Sequence, residues 1–255
     1  MRLGAGPSIG INAVKPATVT MFQPSITFGL NFQEIILASF TGIASQVEST
    51  RSPGGEVRYL ADQILGASLF FALTPLIVAV AFTTWCLSRR SPFVAHRRVG
   101  QYGELFWMLK LRTMWMKANE PVEMRLVELV SEQPVTSCKN VFDDRVTSRF
   151  ARFCRRYSID ELPQLWHVVR GQMALIGPRP ITRLELTTHY GEAASEILRL
   201  RPGLSGLWQV MGRSRLSYRQ RRRLDVFLAR HFTMRLYLRT LWRTIPSAIR
   251  GADAW

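Results

Sequence analysis

The sequence predicts an α-rich α/β protein: a membrane-embedded helix followed by a polar domain with a small β-hairpin and amphipathic interfacial helices.

Three features of the 255 residues carry that expectation. A run of roughly two dozen uncharged residues, Ile64 to Leu87, precedes mixed polar sequence. Two short apolar runs flank a glycine-containing break at Gly100 to Gly103. From Arg219 onward, apolar residues recur at steps of three or four with arginines between them. These features divide the chain into a flexible N-terminal extension (1–55), a membrane-embedded element (56–90) and a polar domain (91–255).

Composition narrows the partners. Hydrophobic residues make up 47% of the chain, enough for a packed core. Lys and Arg total 34 against 18 acids, a formal net charge of +16. Such an excess points to nucleic acid, an acidic membrane surface or a phosphorylated substrate. The three cysteines, Cys86, Cys138 and Cys154, lie far apart, and the four histidines show no metal-ligand spacing. A zinc site or a disulfide framework is therefore not expected, which fits a reducing compartment.

The elements follow in order. Residues 1–55 are low in charge, and only "FQEIILASFTGIA" has the pattern of a short amphipathic helix. They show no basic start followed by a compact apolar run, so no secretory signal is expected. Ile64 to Leu87 would reach ~36 Å as a straight helix, enough to cross a bilayer. The run has no polar face, which argues against a buried core helix. Thr74-Pro75 interrupts its centre and predicts a kink. Arg51 and Arg58 precede it, and Arg89, Arg90, Arg97 and Arg98 follow. Cationic flanks at both ends suit a re-entrant element with both ends on one side, a complete span being the alternative.

"FVAHRRVGQYGELFWMLKLRT" predicts the hairpin. Met116 to Gln133 carries Val122, Leu126, Leu129 and Val130 at a helical period. A further helix is expected from Leu162 or Pro163 to Gly171, with proline in the first turn and glycine past the end. "MALIGPRPI" is a short apolar stretch broken by a Gly-Pro-Arg-Pro loop. Glu185 to Leu200 reads as helix, and "RPGLSGLWQVMGRS" as a second Gly- and Arg-rich loop. The last stretch places Leu224, Phe227, Leu228, Phe232, Leu238, Leu241, Trp242, Ile245 and Ile249 on one or two basic amphipathic helices. Such helices suit an anionic lipid surface; an ordinary helix with a solvated basic face has the same pattern.

Few residues can do acid, base or nucleophilic chemistry. The sharpest are the adjacent Asp160 and Glu161 in "RRYSIDELPQLW", with Arg152, Arg155 and Arg156 upstream and Arg170 and Arg179 downstream. Arginines can neutralise phosphate oxygens while a carboxylate attacks phosphorus or holds a metal. The simpler reading is a capping box, Ser158-x-x-Glu161, in which Glu161 satisfies a backbone donor. Gly177-Pro178-Arg179-Pro180 and Arg201-Pro202-Gly203 present arginines on stiff backbone, and Arg213 closes the second loop. Each is a candidate diphosphate clamp, or a turn with a solvated arginine.

In this order, these segments resemble the bacterial sugar transferase family, the monotopic phosphoglycosyl transferases, over about Val57 to Ile249. The matching motifs are the Pro-broken apolar run, "RVGQYGELFWMLKLRTM", "DDRVTSRFARFCRRYSIDELPQLWHVVRGQMALIGPRP", and "RPGLSGLWQVMGRSRLS" with "LDVFLARHF". The resemblance implies a re-entrant helix broken at Thr74-Pro75 and a catalytic domain on the cytoplasmic face of the bacterial inner membrane. It implies Asp160 as nucleophile toward the β-phosphorus of a UDP-sugar, releasing UMP, with undecaprenyl phosphate as acceptor. Glu161 would help hold Mg²⁺, an ion suited to hard oxygen ligands. Lys110, Arg112, Arg145, Arg179 and Arg201 match basic positions placed around phosphates or carboxylates, and Asp225 matches an acid that supports the site. Anionic membrane lipids and a homodimer are further expected partners.

The chain departs from the family pattern at four places. Ser148 stands where Gly is common, Gln172 where an acid is usual and Asp144 at a usual proline; Val226-Phe227 follow Asp225 where a tyrosine is common nearby. None touches the dyad. The chain is expected to be the compact form, which suits an exopolysaccharide role. The sugar, a hexose such as galactose or glucose, is not legible. The rival readings are a non-catalytic membrane scaffold of glycan assembly and a basic nucleic-acid-binding membrane protein. No nucleic-acid motif is visible, so nucleic acid is not an expected partner.

Overall fold

The fold was established as a computed structural model, which describes residues 53–115, 126–130 and 148–250. Helix α1, Pro53–Ser88, runs without interruption through Pro75. It is the one helix among the described residues long and apolar enough to cross a membrane. Its hydroxyls bond within the helix: Ser68 to Ile64 O, Thr74 to Phe70 O and Thr83 to Ala79 O. That pattern satisfies polar side chains without water, so they add little cost to an apolar surrounding. Arg89, in left-handed backbone with φ 53°, ends the helix and donates its N–H to Trp85 O.

One face of α1 lies against the rest of the protein along most of its length. Tyr59, Asp62 and Gly66 are buried before Pro75, and Ile77, Val80, Ala81 and Thr84 after it. Val57, Leu60, Ile64, Phe71, Val78 and Phe82 form the opposite, exposed face. The helix is therefore apolar on two sides, one used for packing and one left open.

The hairpin follows as expected: β1 (Phe93–Val99) and β2 (Leu105–Leu111) pair antiparallel, with Ala95 opposite Leu109 and Val99 opposite Leu105. Tyr102, at φ 58°, and Gly103, at φ 86°, make the reversal between them. The helix expected over Met116 to Gln133 is corrected in its described part. Val127–Val130 is a strand, β3, parallel to β1, so the sheet order is β2-β1-β3. The Val-Glu-Leu-Val sequence is short and β-branched, and pairing with β1 outweighs a weak helical period. Phe106 and Met108 point from β2 into a core with Leu165, Val168, Met173 and Leu175, completed by Phe70 and Leu73 of α1.

Helix α2 (Arg149–Arg156) starts at Ser148, whose hydroxyl accepts the Ala151 N–H. The expected helix from Leu162 to Gly171 divides into a 3₁₀ segment, Ile159–Gln164, and α3, Leu165–Val169. Gly171, at φ 71°, then turns the chain into β4 (Ala174–Ile176). The helical stretch expected over Glu185 to Leu200 is broken into α4 (Arg183–Glu185), a π-turn at Leu186–Tyr190, a 3₁₀ turn at Gly191–Ala193 and α5 (Ala194–Ile197). Gly191, at φ 50°, is where that stretch departs from helical backbone.

Strand β5 (Gly203–Ser205) pairs parallel with β4 and brings the two Gly-rich loops together. Gly203 N–H donates to Pro178 O, and Gly177 N–H to Ser205 O. A Cβ on Gly203 would lie 2.1 Å from Gly177 N, so the backbones leave no room for one. After α6 (Leu207–Met211) come two helices, α7 (Tyr218–Arg230) and α8 (Met234–Arg250). Tyr237 and Thr240 of α8 are buried, whereas Arg235, Leu238, Arg239, Trp242 and Ile245 recur on its exposed side. Cationic and apolar side chains thus share one face of this helix.

Candidate active site

Ser158 adopts left-handed backbone, φ 57°, and turns the chain from α2 into the 3₁₀ segment that carries Asp160 and Glu161. Its N–H donates to Arg155 O, and its hydroxyl makes no cap. The capping-box reading of Glu161 is therefore corrected. The carboxylate instead accepts from Lys110 Nζ of β2 at 2.8 Å. Both partners are partly exposed, at 25% and 35% of their side-chain surface, so the pair is reachable from solvent. Asp160 is half-buried beside it. Cys154 is packed below: burial and the Asp160 charge push its thiol up to about 11, so it is held as an inert thiol.

Arg112 is only 6% exposed. Its Nε donates to Ser91 O at 2.7 Å and its Nη2 to Glu128 at 2.6 Å. These bonds tie the end of β2 to the chain entering β1 and to β3. Arg145 lies outside the described residues.

A second cluster surrounds Arg179. Its N–H donates to Asp225 Oδ1 at 3.3 Å, and Asp225 Oδ2 accepts from Tyr190 Oη at 2.8 Å. Asp225 is fully buried, so it acts on the Arg179 loop from beneath. Burial pushes its carboxyl up to about 6, against the opposing effect of those hydrogen bonds and of Arg179 and Arg221. The Arg179 guanidinium lies 3.8 Å from buried Glu185 and 5.1 Å from the centre of the Trp208 ring. Burial alone would raise the Glu185 carboxyl; Arg179, the Thr182 N–H, Arg98 and the Tyr218 hydroxyl together bring it below the ordinary value.

Arg201 belongs to a third group. Its guanidinium stacks 4.0 Å from the Tyr59 ring, and its Nε donates to Gln101 at 3.3 Å. It lines a cavity of about 210 Å³ with Gln101, Glu104, Gly171 and Gln172. The loops of Arg179 and Arg201 are thus neighbours through their backbones, while their side chains engage different partners.

The sequence alone places Lys110 among the basic residues but does not reveal it as the partner of Glu161. It gives no reason to single out Glu185, Tyr190 or Trp208, and no role for the histidines. A buried pair such as Asp62 and Tyr237, whose hydroxyl donates to that carboxylate, joins residues 175 positions apart. No local pattern reports such a pairing.

With these groups placed, the comparison with known proteins becomes decisive. The model of the family described as "Bacterial sugar transferase" matches residues 55–251. The chain belongs to the bacterial sugar transferase family. It is an enzyme, a transferase. It is 34% identical over 207 residues to the exopolysaccharide production protein ExoY of Rhizobium meliloti, covering 80% of this chain and 91% of that one. A UDP-galactose-lipid carrier transferase of Erwinia amylovora is 35% identical over 202 residues, 76% of this chain and 40% of its own. A UDP-glucose:undecaprenyl-phosphate glucose-1-phosphate transferase of Caulobacter vibrioides is 32% identical over 225 residues, 81% of this chain and 78% of its own. This transferase therefore shares its matched region with relatives whose names carry two different sugars.

Proposed function

We propose that this transferase moves a hexose-1-phosphate from a UDP-sugar to undecaprenyl phosphate at the cytoplasmic face of the inner membrane, in the first membrane step of exopolysaccharide synthesis. The observation that carries the proposal is the solvent-reachable Asp160–Glu161 dyad, with Lys110 bonded to Glu161. Asp160 attacks the β-phosphorus of the donor; a phosphorus–oxygen bond forms, the bridge to the α-phosphate breaks, and UMP leaves with the bonding electrons. An oxygen of undecaprenyl phosphate then attacks that phosphorus and displaces Asp160, which returns unmodified. The product is an undecaprenyl diphosphosugar.

Lys110 holds the Glu161 carboxylate and places positive charge beside the transferring phosphate. Among the described residues no cluster of three metal-ligating side chains exists. An all-protein metal cage is not needed for Mg²⁺, which takes one or two carboxylates and completes its shell with water and phosphate oxygens. Glu161, with one oxygen on Lys110, and Asp160 beside it fit that donor set. Bound there, Mg²⁺ would neutralise charge on the donor diphosphate. Arg179, on a loop held by Asp225, is proposed as a phosphate-binding group, and Arg201 as a second one.

Two observations support membrane association with a re-entrant α1. Both ends of the helix pack against the same domain, although a straight helix from Tyr59 to Thr84 would be ~38 Å long. The exposed face of α8 combines Trp242, 76% exposed, with Arg235 and Arg239, as a helix lying on anionic lipid requires. Incubation with a UDP-hexose in the absence of carrier tests the chemistry. Intact-mass measurement should find one phosphohexose added to the wild type and none to Asp160→Asn. Equal modification of both proteins would remove Asp160 as nucleophile.

A further inference from the structure

Among the described residues β2 is an edge strand, because the order in its sheet is β2-β1-β3. The bonds from Arg112 N–H to Pro92 O and from Gly100 N–H to Glu104 O fix which residues of β2 face β1. Even-numbered positions exchange hydrogen bonds with β1, so the N–H of Leu109 points outward, away from the sheet. That outward donor reaches the imidazole Nε2 of His167 at 3.0 Å. His167 lies on α3, directly after the 3₁₀ segment of Asp160 and Glu161. Lys110, the next residue of β2, bonds to Glu161. The imidazole therefore joins the strand of the cation to the helix of the dyad one residue from where the two meet.

We propose that His167 is a positioning residue for the Lys110–Glu161 pair, working only as neutral imidazole with its proton on Nδ1. This rests on reading the dyad as the reacting centre. A backbone N–H can only donate, so Nε2 must accept and the ring proton must sit on Nδ1. Gln172 meets that requirement: its Oε1 lies 2.8 Å from Nδ1. Protonation would set an Nε2–H against the Leu109 N–H, two donors face to face, and would part β2 from the dyad segment.

The surroundings favour the neutral ring. Burial lowers the readiness of His167 to take a second proton; the Gln172 bond acts the other way, and Arg170 adds to burial. From β2 the ring meets the edge of Phe106, with centroids 5.4 Å apart. Helix α1 packs on neighbouring residues of α3, with Phe70 against Trp166 and Gly66 against Val168. Gln172 also lines the cavity that holds Arg201 and Glu104. A carboxylate in place of Gln172 would stabilise the imidazolium and oppose the bond to Leu109.

The test is the pH dependence of turnover in the full-length enzyme for wild type, Gln172→Glu and Gln172→Leu. Gln172→Glu should gain an ionisation near neutral pH, below which kcat falls about tenfold per pH unit while KM for the donor holds. Gln172→Leu should gain none. If Gln172→Glu follows the wild-type curve, or the new ionisation appears in KM alone, the proposal is overturned. Should that variant not fold, ¹⁵N-histidine NMR of the wild type decides: a neutral, Nδ1-protonated His167 that stays neutral to lower pH than an ordinary histidine is expected, and an imidazolium or Nε2–H tautomer at neutral pH overturns the proposal. Activity that survives Asp160→Asn and Lys110→Met would instead bring down the dyad reading itself.

Discussion

Asp225 shows how one side chain links stability to the site. A carboxyl raised to about 6 keeps its proton in the folded chain after the unfolded chain, with an ordinary value near 4, has lost it. Ionisation therefore costs the fold, and this contribution to stability falls as pH rises between those two values. The rise from near 4 to about 6 corresponds to about 3 kcal/mol. Melting temperatures measured from pH 4 to 7 should show wild type losing ground against Asp225→Asn across that window; a constant difference would refute the raised value. The sequence made Asp225 legible as a matching acid, because it stands in a motif. Its attachment to the Arg179 N–H and the Tyr190 hydroxyl was not legible, because those partners lie 46 and 35 residues away. Adjacent residues read well for the same reason in reverse: Asp160 and Glu161 needed no fold to be seen together, whereas Lys110, 51 residues from Glu161, needed the strand to reach it.

At the scale of elements, the hairpin, the turn at Gly171 and the basic amphipathic pattern of the C-terminal helices were legible because each depends on local spacing and turn chemistry. The strand at Val127–Val130 was not, since its partner β1 lies 34 residues earlier in the register. The seam between α1 and α3 was equally hidden. A Cβ on Gly66 would come within 2.8 Å of Val168 Cγ1, so the two helices meet where α1 has no side chain. Gln63 adds a hydrogen bond to Val169 O at 3.0 Å, capping the end of α3. Gly66→Leu should force the helices apart and destabilise the protein by about 1–3 kcal/mol, the usual cost of overpacking. Because α3 continues the dyad segment, the same variant should lose activity below its melting temperature. A variant as stable and active as wild type would show that this seam is not tightly packed.

For the whole molecule, the apolar run of the sequence foretold a long apolar helix but not how the domain meets it. The structure gives α1 one buried and one exposed apolar face, and contact with the domain on both sides of Pro75. If the helix enters and leaves on one side, single cysteines at Val57 and Leu87, in a background with Cys86, Cys138 and Cys154 replaced by serine, should both react with an impermeant thiol reagent applied to inverted membrane vesicles. Reaction of only one would establish a complete span. The central claim, sugar-1-phosphate transfer through Asp160, is tested most directly by UMP release from a panel of UDP-sugars by the purified protein in nanodiscs, with undecaprenyl phosphate and Mg²⁺. Release that requires the carrier, favours one hexose donor and falls by about a thousandfold or more in Asp160→Asn is the expected result. Undiminished release by Asp160→Asn, or no release from any UDP-sugar, would contradict it.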